Sequence, residues 1–371
     1  MPQHWIAART QEMHLSGIRK VFELARTLKD PINLSIGQPD FDVPALAKSA
    51  AINAIQQGRN GYTATQGIPE LRDRIHAAMQ KRYAHTHRQT LITSGTSGGL
   101  TLALAATVNP GDEVVIFDPY FVLYPNAIAL FGGKAVHVDT YPNFQVDIDR
   151  VKAAISSRTK AIIVCSPANP TGVVLPRDGL RELAYLARKR EVLLISDEVY
   201  SSFCYDEPFT SPAEFNDNVL VLDGFSKTYG MTGWRLGYAH GPRELIDEMA
   251  KLQQFTYVCA PSMVQYAGVA ALDVDMSATI AAYRQKRERV VAGLRRHFEL
   301  AEHGGAFYVF PKAPWGTATE FFEACVSHSL LVIPGSTFSR RDTHFRISYA
   351  VDDRTLERGL EVLAKLAKGP P

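Results

Sequence analysis

Residues 159–200 read TKAIIVCSPANPTGVVLPRDGLRELAYLARKREVLLISDEVY. Two runs in this stretch, TKAIIVCSP (159–167) and VLLISDEVY (192–200), are nearly all apolar. A strand with one wet face alternates in polarity, whereas a strand apolar on both faces must be covered on both. Between them, DGLRELAYLARKR (178–190) has the pattern of an amphipathic helix. Strand, helix and strand of this kind make a parallel unit in a sheet sandwiched by helices.

The same alternation runs outward in both directions. QTLITSG (89–95), DEVVIFDP (112–119) and KAVHVDT (134–140) read as strands, with GGLTLALAATVN (98–109) and PNAIALFGG (125–133) as the helices between them. VLVLDGFSK (219–227) and RLGYAHG (235–241) continue the sheet. Residues 262–298 then form one long helical stretch, with a break near DVDM. Short strands GGAFYVFPK (304–312) and HFRISYA (344–350) follow, around the helices TEFFEACVSHS and DRTLERGLEVLAKLA. The expected fold is α/β, a three-layer α/β/α large domain with a mostly parallel sheet plus a smaller α+β domain. Residues 1–40 are expected to form an arm whose helix, HLSGIRKVFELARTLKD, packs on the small domain. Residues 41–265 make the large domain and 266–371 the small one.

With 40 Lys and Arg against 38 Asp and Glu, nothing in the charge calls for nucleic acid or an anionic membrane as partner. The N-terminal MPQHWIAARTQEMH lacks the apolar core of a signal peptide, and no run approaches the ~20 apolar residues of a membrane helix. A cytoplasmic protein is expected. Cys165, Cys204, Cys259 and Cys325 form no CxxC pair, so reduced buried thiols are expected, with no metal site.

Ligands of open α/β sheets bind beyond the carboxyl ends of the strands. There, SGTSGGL offers small residues at a helix N-terminus, a place for an anion. Asn169 in ANPTG reads by itself as a turn residue. Asp197 and Tyr200 follow an apolar strand; a desolvated Asp197 needs a cationic or donating partner, although a helix cap is an equal reading of it alone. Lys227, beyond VLVLDGF, would lose pKa if desolvated, and a neutral amine forms a Schiff base. Arg235 has the planar fork that suits a phosphate. Singly each is weak. Together they match pyridoxal 5′-phosphate, which needs a lysine for its aldehyde, an acid for its pyridine nitrogen, donors for its phenolate oxygen and a phosphate site.

At this point the sequence resembles the class I/II aminotransferases of the aspartate aminotransferase superfamily, the PLP-dependent transferases of fold type I. The blocks that carry the resemblance are LSIGQPDF, GYTATQGIPELR, TSGTSGGL, DPYFVLYP, NPTG, DEVY, SKTYGMTGWRLGY, GGAFYVFPK and FRIS, in that order. It implies Lys227 as the Schiff-base lysine and proton shuttle, Asp197 as the pyridinium partner, and Asn169 and Tyr200 as donors to the phenolate oxygen. It further implies Gly95, Thr96, Ser97 and Arg235 around the phosphate, and Phe121 against the ring. Tyr62 would reach the phosphate from the other subunit of a homodimer. Arg346 would hold the substrate α-carboxylate, with the Gly37 backbone nearby. One departure is Gly224, where many relatives carry a phosphate-binding serine.

The resemblance implies transfer of an amino group from an L-amino acid to a 2-oxo acid by a ping-pong mechanism. A β-eliminating C–S lyase shares the fold and motifs. A cofactor-binding regulator ranks low, because only a short segment precedes the first motif, and a nicotinamide enzyme ranks lower, because SGTSGG is not GxGxxG. Arg19, Arg59 and Arg340 are candidates by type for a second substrate cation. Phe121, Tyr124 and Tyr257 are candidates for an aromatic wall.

Overall fold

The computed structural model describes residues 5–11, 13, 17–83 and 85–370. After the two-residue strand β1 (Ile32–Asn33), seven strands build one sheet. They are β2 (Arg88–Thr93), β3 (Glu113–Asp118), β4 (Lys134–Asp139), β5 (Thr159–Cys165), β6 (Leu193–Asp197), β7 (Val219–Gly224) and β8 (Gly237–Pro242). Their order is β2-β8-β7-β6-β5-β3-β4. All neighbours are parallel except β8, which runs antiparallel to both β2 and β7. The carboxyl ends of β5, β6 and β7 coincide, with Asp197 paired to Cys165 on one side and Leu222 on the other.

Both faces of this sheet are dry, as the apolar runs demand. Ile163, Ile195, Leu220 and Leu222 pack against the helices Gly95–Thr107 and Arg243–Thr256. Ile162, Val164, Leu194 and Val221 face the helix Arg177–Lys189. Successive strand residues point to opposite faces, so one sequence feeds two cores. The helix Arg177–Lys189 shows why its segment coils. Leu180, Leu183, Ala184 and Ala187 are buried at helical spacing, Asp178 lies in the first turn, and Arg188 and Lys189 complement the dipole in the last.

The C-terminal segment adds β9 (Tyr308–Val309), β10 (Leu330–Leu331), β11 (Ile333–Pro334) and β12 (Phe345–Ser348). Strands β11, β12 and β9 form an antiparallel sheet, while β10 pairs in parallel with β1. Helices Ser277–Leu294, Ala318–Ser327 and Asp353–Leu366 bury Val290, Phe321 and Leu363 in the same cluster as Phe345 and Ile347. The described part of the N-terminal helix spans Gly17–Ala25, and residues 14–16 of the expected helix lie outside the described residues. Its Val21 joins Leu331, Ile333 and Phe338, and also Tyr141 and Val173.

Three expectations are corrected. The strand expected through Lys227 ends at Gly224, and Phe225–Thr228 is a helical turn, because the cleft opens where the ladder partner of β7 stops. Arg235 does not open β8. It is left-handed, with φ +55°, at the end of the turn Thr232–Trp234. The expected strand 304–312 shrinks to β9, because Ala306 also has a positive φ of 52° and the chain turns there. The break near DVDM is present, between the helices Ser262–Ala271 and Ser277–Leu294. The four thiols are unpaired, but Cys325 alone of them is fully buried. Among the described residues no helix is long and apolar enough to cross a membrane.

Candidate active site

Lys227 rides on the turn that replaces the end of β7. Its Nζ donates to the Gly37 carbonyl at 2.7 Å and lies 5.8 Å from the centre of the Tyr200 ring. Burial, then the positive charges of Arg346 and Arg235, depress its pKa to about 8, against the opposing pull of Asp197. The side chain keeps part of its surface open to the cleft. A half-buried amine with a pKa of about 8 gives up its proton far more readily than an ordinary lysine, and its neutral form is chemically competent as nucleophile and base.

Asp197 is the last residue of β6 and is buried. The Tyr124 hydroxyl donates to it at 2.7 Å and the Val199 N–H at 3.4 Å. Burial raises its pKa, and those two donors and Lys227 oppose the rise. It does not cap a helix: the next helical turn, Ser201–Phe203, is preceded by Tyr200. The Tyr200 and Tyr308 hydroxyls share a hydrogen bond of 2.8 Å, and Tyr308 also donates to Gly37 O at 3.4 Å.

Arg346, on β12, is only 1% exposed. Its Nη1 donates to Asn169 Oδ1 at 3.0 Å and its Nη2 to Ser35 O at 2.8 Å. The guanidinium lies 4.6 Å from the Tyr308 ring centre and 4.7 Å from that of Phe338. Its Nε is buried without a partner, and burial depresses its pKa. A dry guanidinium with no carboxylate opposite it among the described residues is suited to receive an anion.

The small-residue turn at the end of β2 works through contact with Arg235. Gly95 has φ +68°, and a Cβ there would lie 2.3 Å from Arg235 Nη2. The arginine is itself held by Thr232 O, at 2.9 Å from Nη1. Gly224 now has a structural reason. A side chain there would meet Gly237 Cα at 2.8 Å and Leu236 O at 2.9 Å, and one at Gly237 would meet Gly95 C at 2.7 Å. Backbone touches backbone where β7, β8 and the Gly95 turn converge. Gly224→Ser is therefore expected to cost about 1–3 kcal/mol, the usual range for overpacking. An unchanged thermal midpoint in that variant would show the close approach to be wrong.

These pieces share one cleft of about 290 Å³, lined by Gly37, Thr96, Ser97, Phe121, Asn169, Asp197, Tyr200, Lys227, Arg235 and Arg346. Gly95 stands behind Arg235. Tyr62 is elsewhere, 85% exposed, beside a separate groove formed with Tyr257 and residues 259–263. Of the aromatic candidates, Phe121 and Tyr124 line the cleft and Tyr257 does not. Arg19, Arg59 and Arg340 do not line it either. The sequence reading missed Tyr308, Ser35, Ile18 and Ile36. Tyr308 was legible as a phenol within an apolar run, since a buried Tyr hydroxyl needs a partner. Ser35 acts through its carbonyl, which no side-chain pattern reveals.

The model of the family "Aminotransferase class I and II" matches residues 29–363. The chain belongs to that family. It is 37% identical to a putative aminotransferase, YugH, of Bacillus subtilis, over 96% of each chain. It is 34% identical to aromatic-amino-acid aminotransferase 2 of Thermococcus litoralis over 98% of each. The solved aspartate aminotransferase of Thermotoga maritima superposes with a TM-score of 0.94 at 33% identity, covering 98% of this chain and 100% of that one. This family member is a pyridoxal 5′-phosphate-dependent aminotransferase acting on amino and oxo acids, and the lyase alternative is not favoured. The residues present fit the cofactor. They supply a half-buried amine, a buried carboxylate with two donors, an unpartnered buried guanidinium nitrogen and a glycine turn against an arginine.

Proposed function

We propose that this aminotransferase works by ping-pong exchange, with Lys227, Asp197 and Arg346 dividing the work. The observation that carries the proposal is the meeting of all three in one cleft. The bound cofactor supplies an electrophilic carbonyl and a protonated ring that draws electron density from the substrate Cα. Asp197 would hold a proton on the ring nitrogen, and a cation beside it would favour the anionic carboxylate that burial disfavours. Asn169 Oδ1 accepts from Arg346, which leaves its amide hydrogens for the phenolate oxygen, and the Tyr200 hydroxyl would join them when Tyr308 is the donor in the hydrogen bond that the two phenols share. Thr96, Ser97, the Gly95 turn and Arg235 would receive the phosphate, and Phe121, which lines the same cleft, would stand against the ring. The Arg346 fork grips the α-carboxylate beside Gly37, and Lys227 Nζ takes the Cα proton.

We also propose that the protein is cytoplasmic and a homodimer, and exposed aromatic surface supports the dimer. Tyr62 and Phe255 are 85% and 82% exposed, close in sequence to the two sides of the groove that includes Asn60 and Tyr257. Tyr62 would then serve the partner's phosphate. Residues 41–265 are proposed as the large domain, with 1–40 as an arm and 266–371 as a smaller domain. The test is a titration of the cofactor-loaded enzyme with one amino acid and no oxo acid. Stoichiometric loss of the visible band with release of the matching oxo acid is expected, from a species sedimenting at twice 41.0 kDa. Accumulating ammonia with a persistent band would overturn the transfer reading.

A further inference from the structure

We propose that the substrate side chain is an uncharged hydrocarbon, of the leucine or phenylalanine kind, and that Ile18 and Ile36 select it. The proposal rests on the aminotransferase reading above and goes on to name the substrate class.

The first support is a balance of charge. Among the described residues lining the cleft the cations are Lys227, Arg235 and Arg346. Arg235 stands against the Gly95 turn, the place for the cofactor's phosphate. Arg346 is committed to the α-carboxylate, and Lys227 to the chemistry. Asp197 adds a negative charge of its own. A second substrate carboxylate therefore finds no cation of this chain in the cleft. Arg19, beside Ile18 in sequence, is 75% exposed and faces Glu23 at 3.6 Å. Arg59 donates to the Tyr266 hydroxyl at 2.9 Å, and Arg340 is exposed.

The second support is what stands where the side chain goes. Ser35 O accepts from Arg346 and Gly37 O accepts from Lys227, so Ile36 sits between the α-carboxylate grip and the proton acceptor. A Cα held between those two groups presents its side chain to the Ile36 wall. Ile18, on the N-terminal helix, lines the same cleft. The helix is seated closely: a Cβ on Gly17 would lie 2.3 Å from Thr337 Oγ1. One turn on, Val21 packs with Phe338, whose ring covers the Arg346 guanidinium. Ile18 is thus fixed relative to the α-carboxylate site. A carboxylate placed against two isoleucines loses hydration and gains no charge-assisted hydrogen bond from them, whereas a hydrocarbon side chain loses nothing there.

The experiment is single-turnover kinetics of the cofactor-loaded enzyme with leucine, phenylalanine and aspartate, in wild type and in Ile18→Arg. Wild type is expected to favour leucine and phenylalanine over aspartate by at least about 100-fold in kcat/KM, the scale on which a pocket discriminates. Ile18→Arg is expected to shrink that ratio by at least about 10-fold, mainly by raising the aspartate value. Calorimetry reads the same order without turnover, with 4-methylpentanoate binding more tightly than succinate. Equal or better use of aspartate by wild type, or tighter succinate binding, overturns the selectivity and leaves the transaminase reading standing. Ammonia release with no oxo-acid exchange from any of the three overturns both.

Discussion

Lys227→Ala is expected to fold, to bind cofactor without a covalent link, and to lose roughly 10⁴-fold or more in kcat with every amino acid. Among the described residues lining the cleft there is no second primary amine to stand in for it. The remaining basic side chains among its described lining residues are the guanidinium groups of Arg235 and Arg346, which do not form a Schiff base with a carbonyl. Borohydride should fix cofactor to the wild-type chain and not to the variant, and added methylamine should restore part of the rate. Retention of more than about a tenth of wild-type kcat would remove Lys227 from the mechanism. The same lysine leaves a mark on stability. In the apoprotein its pKa is about 8, against 10.5 for the free side chain. Between these values the unfolded chain binds more protons than the folded one, so stability rises with pH across that window. Below pH 8 both forms are protonated and the whole penalty of the buried charge persists. Wild type is expected to gain at most about 3 kcal/mol relative to Lys227→Met on going from pH 8 to 10.5, because each tenfold change in proton affinity is worth about 1.4 kcal/mol. A flat difference between the two proteins would contradict the burial of Nζ.

The sheet was legible because its strands carry their own signal. AIIVC and VLLIS are apolar on both faces, and the structure covers both faces. Asp197 was legible for a related reason: a carboxylate ending such a strand must find donors, and Tyr124 and Val199 supply them. What could not be read was anything decided by the path of the backbone. Lys227 and Arg235 leave the ladder for a helical turn and a left-handed residue, positions set by where β7 and β8 separate rather than by local propensity. Gly224 looked like a missing hydroxyl. It is a backbone-to-backbone contact with Gly237, which depends on strands far apart in sequence from the Gly95 turn they also touch.

Segment 34–37 shows the same limit most plainly. Its chemistry is in carbonyl oxygens, Ser35 O for Arg346 and Gly37 O for Lys227. Those oxygens are fixed because the neighbouring backbone is tied on two sides: Leu34 N–H donates to Leu331 O at 2.9 Å, and Ser348 N–H donates to Leu34 O at 2.7 Å. The C-terminal strands therefore orient both the arginine and the backbone that receives it. The motif LSIGQPDF is a record of this arrangement, with Leu34 fully buried and Ile36 left facing the cleft.

Arg346→Ala is expected to lower kcat/KM by about 10²–10³-fold for every amino acid alike, the range for removing one member of a buried charged pair. The uniformity is the point, because every substrate shares the α-carboxylate and differs only beyond Cβ. Arg346→Lys should recover little. A single ammonium cannot span Asn169 Oδ1 and Ser35 O at once, at 3.0 and 2.8 Å from two different nitrogens of the fork, and still face a ligand. Stability should move much less than activity. In the free protein the guanidinium is held in a site that already disfavours its charge, and its loss exchanges that cost for two unpaired acceptors. The split separates a binding role from a structural one. If the alanine variant lost only one class of substrate, or lost stability in step with activity, Arg346 would be holding the C-terminal strands to segment 34–37 and some other group would be gripping the carboxylate.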